Sequence, residues 1–201
     1  DIKYKKSKFP DGQQDIEIIT CGELHNDEVQ ISSRLNSFLD LELIICATKA
    51  LRGVSINNIS LYIPYLLGAR SDRKFKEGGT SYLRDVIAPI INSQKYISVS
   101  VYDVHNYAVT DALINNLHIV SNASVVNYAL KDIVDCIIIA PDDGASKKIF
   151  QLVKEIGFKG EIIVCSKKRD TNGNITDISV GNGIDLTNKN VVIIDDICDG
   201  G

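Results

Sequence analysis

Apolar and polar positions along the chain alternate between short β-branched runs and longer segments with helical spacing. Strands are predicted at Asp15 to Thr20, Ile59 to Tyr65, Tyr96 to Asp103, Leu117 to Val120, Cys136 to Ala140, Glu161 to Cys165 and Ile175 to Val180. Between Ile31 and Leu51, Leu35, Phe38, Leu39, Leu43 and Ala47 recur near a period of about 3.6, which predicts a long amphipathic helix. Further helices are predicted at Thr80 to Ile91, Ser124 to Lys131 and Ala145 to Ile156. The run Val191-Val192-Ile193-Ile194 reads as a final strand buried on both faces. This alternation of strand and helix predicts an α/β fold with parallel, doubly wound sheets.

Candidate chemistry gathers at the predicted strand ends. Asp195 and Asp196 follow the last strand, and Asp199, Gly200 and Gly201 begin a glycine loop. In open α/β sheets, ligands sit beyond the carboxyl ends of strands. Paired carboxylates there accept hydrogen bonds from vicinal ribose hydroxyls, and a glycine loop offers backbone N–H groups to phosphate. A solvated acidic turn is the plainer alternative for this segment. His105 follows Asp103 at another strand end, and Asp142 ends a third. Arg70, Asp72 and Arg73 follow the strand ending at Tyr65; arginine forks match phosphate oxygens and stack on purine faces. Lys167, Lys168 and Arg169 open a polar stretch, Asp170 to Asn174, that reads as a flap. On spacing alone, a solvated basic turn is the stronger reading of these cations.

Composition narrows the picture. With 201 residues, 44% hydrophobic and 24% charged, the chain can bury a sizeable core. A net charge of −4 argues against a nucleic-acid partner, which favours a basic face. No apolar run approaches the roughly 18 residues that span a membrane, so a cytoplasmic location is expected. Cys21, Cys46, Cys136, Cys165 and Cys198 show no C-x-x-C spacing; three lie in or beside Ile/Val-rich segments and read as small buried apolar residues in a reducing compartment. The chain contains no Met and ends inside its glycine loop, so its second domain is expected to be truncated.

Six stretches carry a family resemblance, in order: Phe9-Pro10-Asp11-Gly12-Gln13; Ile63-Pro64-Tyr65 with Ala69 to Lys74; Val101 to His105; Ala140 to Gly144; Lys167-Lys168-Arg169; and Val191 to Gly201. Together they resemble the ribose-phosphate diphosphokinases, the synthetases of phosphoribosyl diphosphate (PRPP). The terminal segment alone also resembles the PRPP signature of type I phosphoribosyltransferases. The family resemblance implies two phosphoribosyltransferase-type domains, an ATP-side domain over 1–122 and a ribose-phosphate-side domain over 123–201. It implies a magnesium-dependent transferase of nucleotide biosynthesis that moves the diphosphoryl group of ATP to ribose 5-phosphate, giving PRPP and AMP.

The resemblance also implies roles. Phe9, Asp11 and Gln13 match a loop that reaches ATP in a neighbouring subunit, so a homo-oligomer is expected. Arg70, Ser71, Asp72 and Arg73 match the ATP loop, His105 and Asp142 the Mg²⁺ site, and Lys167 and Arg169 the catalytic pair. Asp195, Asp196, Asp199, Gly200 and Gly201 match the ribose-phosphate site. Four positions depart from the family pattern. Gln13 replaces Glu, Ser71 replaces Gln, Asp143-Gly144-Ala145 replaces a Gly pair after Asp142, and Gly200 stands where Thr is usual. The departures at Gln13, Ser71 and Gly200 admit a larger acceptor such as ADP-ribose. A PRPP-using phosphoribosyltransferase and a non-catalytic paralogue are further alternatives. Against the former stand the ATP-type loop and the His105/Asp142 pair; against the latter stand the intact Lys167, Arg169, His105 and Asp142.

Overall fold

The structure, a computed structural model, describes residues 1–20, 28–169, 175–181 and 184–197. The chain divides into two compact units, Asp1–Val120 and Ser121–Gly201.

The first unit begins with an antiparallel hairpin of β1 (Lys3–Lys8) and β2 (Gln14–Thr20). β1 is exposed throughout and lysine-rich, and no apolar pattern announced it in the sequence. A four-stranded parallel sheet follows, of β3 (Val29–Ser32), β4 (Ile59–Ile63), β5 (Ser98–Tyr102) and β6 (Leu117–Val120), in that spatial order. The helix expected from Ile31 starts later than its periodicity implies. Ile31 pairs with Leu61 in the sheet, and α1 runs over Phe38–Gly53. Its start is set by chemistry rather than by periodicity. Ser37 and Asp40 form a capping box, in which the Ser37 side chain accepts from Asp40 N–H and the Asp40 carboxylate accepts from Ser37 N–H.

Leu41, Ile44 and Leu51 of α1 pack on Ile59, Leu61 and Ile63 of β4 and on Val99 and Val101 of β5, all within one core. Within that core, Thr48 Oγ1 lies 2.6 Å from the hydroxyl of Tyr96, so two buried polar groups satisfy each other. Burial pushes the Tyr96 phenol above its usual range. The helix expected over Thr80 to Ile91 is present in two parts, a π-helical turn over Leu83–Ile87 and α2 over Ala88–Ser93. Pro89, with no N–H to donate to the preceding turn, lies where one gives way to the other. α3 (Tyr107–Leu113), absent from the sequence reading, is capped by the Asn106 side chain.

The second unit holds α4 (Ala123–Leu130), β7 (Cys136–Ala140), α5 (Asp143–Ile156), β8 (Ile162–Arg169), β9 (Ile175–Val180) and β10 (Asn190–Ile193). Its sheet has the order β10-β7-β8-β9, with β7 parallel to both β8 and β10 and β9 antiparallel to β8. β7 is buried along its whole length, as its Cys-Ile-Ile-Ile-Ala run requires. Cys136, Ile138 and Ala140 face α4 and α5, while Ile137 and Ile139 pack with Ile163 and Cys165 on the opposite side. The buried thiols behave as the small apolar residues that their context predicts.

The α/β class with mainly parallel sheets is borne out, and the winding differs between units. Strand order runs consecutively in the first sheet and reverses about β7 in the second. Two expectations need correction. β8 does not stop at Cys165: it continues through Lys167 to Arg169, because an antiparallel partner, β9, carries the hydrogen-bond ladder beyond the apolar stretch. β10 is not buried on both faces. It is an edge strand among the described residues, with Val191 and Ile193 38% and 65% exposed, whereas Ile194 is buried beside α5.

The cap of α1 provides a stability test. Ser37→Ala removes an acceptor for an N-terminal amide, and the unfolding free energy of the first unit should fall by about 1 kcal/mol. Urea denaturation followed by circular dichroism measures this; an unchanged midpoint would show that the capping box contributes nothing.

Candidate active site

Parallel strands place their carboxyl ends together. β7 and β10 are neighbours in register, with Ile139 opposite Ile193, so the segments that follow them leave the sheet side by side. β8 leaves β7 on the other side, which makes this the point where the strand order reverses and where open α/β sheets bind ligands. Asp142 follows β7, and Asp195 and Asp196 follow β10.

Asp142 is the N-cap of α5, its Oδ1 accepting from Ala145 N–H at 2.9 Å. A side chain at Gly144 would bring a Cβ within 3.2 Å of that same oxygen, a tight contact to which the Asp142 carboxylate would have to yield by a few tenths of an ångström. Asp196 donates its N–H to Asp195 Oδ1 at 2.9 Å, and Lys148 Nζ of α5 lies 3.6 Å from Asp196 Oδ1. The side chain of Asp196 is only 8% exposed. The Asp195 carboxyl is held above its ordinary range, first by burial, then by the Asp196 side chain and by the charges of Asp196 and Asp142. The structure therefore brings three of the predicted residues, Asp142, Asp195 and Asp196, into one electrostatic cluster, and adds Lys148, which the sequence reading did not single out. Its only sequence signal was a basic pair, Lys147-Lys148, on the helix that Asp142 caps.

Lys167 and Arg169 lie on β8, their backbones paired with Ile178 and Ile175 of β9. The flap expected at 170–174 and the loop residues Asp199, Gly200 and Gly201 lie outside the described residues.

In the first unit, the segments after β4 and β5 leave the same edge of the parallel sheet. The first carries Arg70 to Arg73. Gly68 turns there with φ +81, and a Cβ on it would meet Tyr82 Cδ1 at 2.8 Å, so the loop approaches the following helix closely. Ser71 ties the two together: its Oγ accepts from Tyr82 N–H at 3.1 Å, and its carbonyl accepts from Ser81 Oγ at 3.0 Å and Leu83 N–H at 3.1 Å. Its departure from the family's Gln thus has a local explanation, because the hydroxyl anchors the loop. Asp72 is buried, Arg70 and Arg73 are exposed, and the Arg73 guanidinium lies 5.5 Å from the centre of the Phe75 ring. Phe75 is another residue the sequence reading passed over.

After β5, Asp103 takes φ +37, uncommon for a residue with a side chain, and accepts from Tyr107 hydroxyl at 3.2 Å. His105 follows, exposed, just before the Asn106 cap of α3. It belongs to the first unit and Asp142 to the second. Phe9, Asp11 and Gln13 form the tip of the β1–β2 hairpin, closed by Phe9 N–H to Gln13 carbonyl and Gly12 N–H to Phe9 carbonyl, each 2.9 Å, with Gly12 at φ +99. All three are exposed. Among the described residues, no group of three or more His, Cys, Asp or Glu side chains is arranged to hold a metal, and no helix is long and apolar enough to cross a membrane.

Fold and site together define an α/β protein with an acidic strand-end cluster at a topological switch point. No family model matches the chain. It is 27% identical over 203 residues to the ribose-phosphate pyrophosphokinase of Saccharolobus solfataricus, covering 100% of this chain and 68% of that protein. It is 26% identical over 195 residues to the enzyme of the same name from Pyrococcus furiosus, covering 96% and 67%. The chain thus spans about two thirds of the length of these relatives. Among solved structures it matches the phosphoribosylpyrophosphate synthetase of Mycobacterium smegmatis with a TM-score of 0.76 and 15% identity, over 97% of this chain and 63% of that one. The resemblance read from the six stretches is borne out along the whole chain.

The raised Asp195 carboxyl has a stability consequence. The folded state binds that proton more tightly than the unfolded chain, so stability falls as pH rises from the ordinary value of 3.8 through the raised one. The cost is fully present above it. Asp195→Asn should therefore unfold at higher temperature than the parent at pH 7, with the gap closing as the pH is lowered below 3.8. Calorimetry across pH measures this, and a gap independent of pH would remove the electrostatic explanation.

Proposed function

We propose that this chain is an ATP diphosphotransferase that makes PRPP and AMP from ATP and ribose 5-phosphate, acting as a homo-oligomer in the cytoplasm. The observation that carries the reading is the joint placement of Asp142, Asp195 and Asp196 at the switch point of a chain similar end to end to ribose-phosphate pyrophosphokinases.

In this reaction the anomeric hydroxyl oxygen of the ribose attacks the β-phosphorus of ATP. The bond between that phosphorus and the α,β-bridging oxygen breaks, and AMP leaves with the bridging oxygen. The hydroxyl proton passes to solvent. Such transfer depends on positioning and charge neutralisation more than on a protein nucleophile. Asp195 and Asp196 accept from the ribose hydroxyls and orient the sugar, while Asp199, Gly200 and Gly201 begin the loop for its 5-phosphate. Arg70, Ser71, Asp72 and Arg73, with Phe9, Asp11 and Gln13 from a neighbouring subunit, hold ATP. Lys167 and Arg169 neutralise charge developing on the transferred group.

His105 and Asp142 are the residues that would hold Mg²⁺. Asp142 is the oxygen donor that suits the ion and His105 the unusual ligand; a magnesium ion shared with substrate phosphates needs only one or two carboxylates and retains water, so a preformed protein cage is not required. When bound, Mg²⁺ supplies charge neutralisation at the phosphate oxygens. The anchoring role of Ser71 removes one of the departures that had favoured a larger acceptor, and ribose 5-phosphate is the acceptor we assign.

Mass spectrometry of the products from ATP, Mg²⁺ and ribose 5-phosphate tests the reading. AMP with an acceptor heavier by one diphosphate is expected; ADP, or no product, would overturn it. Lys167→Ala and Arg169→Ala should each lower kcat by about 100-fold or more while changing KM for ATP little. Normal kcat with raised KM would make either residue a ground-state binder. Asp142→Asn should lower turnover at least about tenfold, with a changed Mg²⁺ dependence; an unaltered Mg²⁺ titration would remove Asp142 from the metal site.

A further inference from the structure

We propose that Lys148 is a positioning residue that holds Asp196 in place for the ribose hydroxyls. This rests on the diphosphotransfer reading above and assigns that site a residue outside the six family-like stretches. Asp142, Asp195 and Asp196 converge at the ends of β7 and β10, and the Asp196 side chain is 8% exposed. A carboxylate so enclosed, with another beside it in sequence, is costly unless a cation or hydrogen-bond donors compensate it.

Lys148 supplies the cation. Its Nζ lies 3.6 Å from Asp196 Oδ1, and its own side chain is 23% exposed. Lys148 precedes Ile149, whose side chain is buried in the core that also contains Ile194, the residue before Asp195. The helix carrying Lys148 and the segment leading into the aspartates are therefore packed together next to the ion pair. Lys148 lies in the N-terminal half of α5, whose field favours anions over cations. Its neighbour Lys147 is exposed, whereas Lys148 is turned toward the acidic cluster. The ammonium fixes the carboxylate, leaving an acceptor in place before the sugar arrives. Its effect on the reaction passes through Asp196.

Steady-state kinetics on the full chain, with parallel calorimetry of ribose 5-phosphate binding, tests this. Lys148→Met should raise KM and Kd for ribose 5-phosphate by at least about tenfold and leave KM for ATP within about threefold, since the defect lies in orienting the sugar. Lys148→Arg, which keeps the cation, should recover most of the loss, and Lys154→Ala, which removes a charge from the far end of the same helix, should change neither constant. In an Asp196→Asn background, Lys148→Met should add little, because the partner is already gone. Lys148→Met or Lys148→Gln with lowered thermal stability but unchanged Kd for ribose 5-phosphate would overturn the proposal, as would additive effects in the double variant. Parent protein that binds ribose 5-phosphate but forms no AMP overturns the diphosphotransfer reading instead; the binding arm then still decides the role of Lys148.

Discussion

The second unit depends on one backbone constraint, the parallel pairing of β10 with β7 on the side opposite β8. That pairing reverses the strand order about β7 and brings the ends of two strands distant in sequence together. Asp142 and the Asp195-Asp196 pair become neighbours for this reason alone. The register is held by apolar packing, with Ile138 and Ala140 of β7 and Ile194 beyond β10 sharing a core with Ile149, Leu152 and Val153 of α5. The ladder places the carboxylates, and the core beneath keeps them there.

The cluster gathers like charges where burial raises their cost, and the Asp195 carboxyl is pushed up accordingly. Two compensations are visible. Asp142 spends one oxygen on the N-terminus of α5, where the helix field favours a carboxylate, and Lys148 stands beside Asp196. α5 thus supplies a hydrogen-bonded cap to one aspartate and a cation to another. Residual strain of this kind concentrates at sites where function, rather than stability, selects the residues.

The first unit shows a different economy. Ser71 lies in a segment whose arginines suit phosphate, yet its hydroxyl and carbonyl are both engaged in anchoring that segment to the start of the π-helical turn. Arg73 stacks near Phe75. Next along the sheet edge, Asp103 with its positive φ and Tyr107 shape the turn that presents His105.

The sequence by itself determined the α/β class, most elements and the identity of the candidate residues. The Cys-Ile-Ile-Ile-Ala run of β7 reads as a buried strand and is one, and Asp, Arg and Lys at strand ends carry their chemistry in their side chains. It misjudged elements whose limits are set by hydrogen bonds: the capping box that starts α1, the β9 partner that extends β8 through Arg169, and the lysine-rich β1, which no apolar period marks. Only the tertiary structure decided that Val191 and Ile193 are exposed on a strand at the edge of the sheet among the described residues, that Ser71 is an anchor, and that Lys148 stands against Asp196. Those facts depend on which strand pairs with which and on how a helix packs across them. Pairing between distant segments leaves no periodic trace in a single chain.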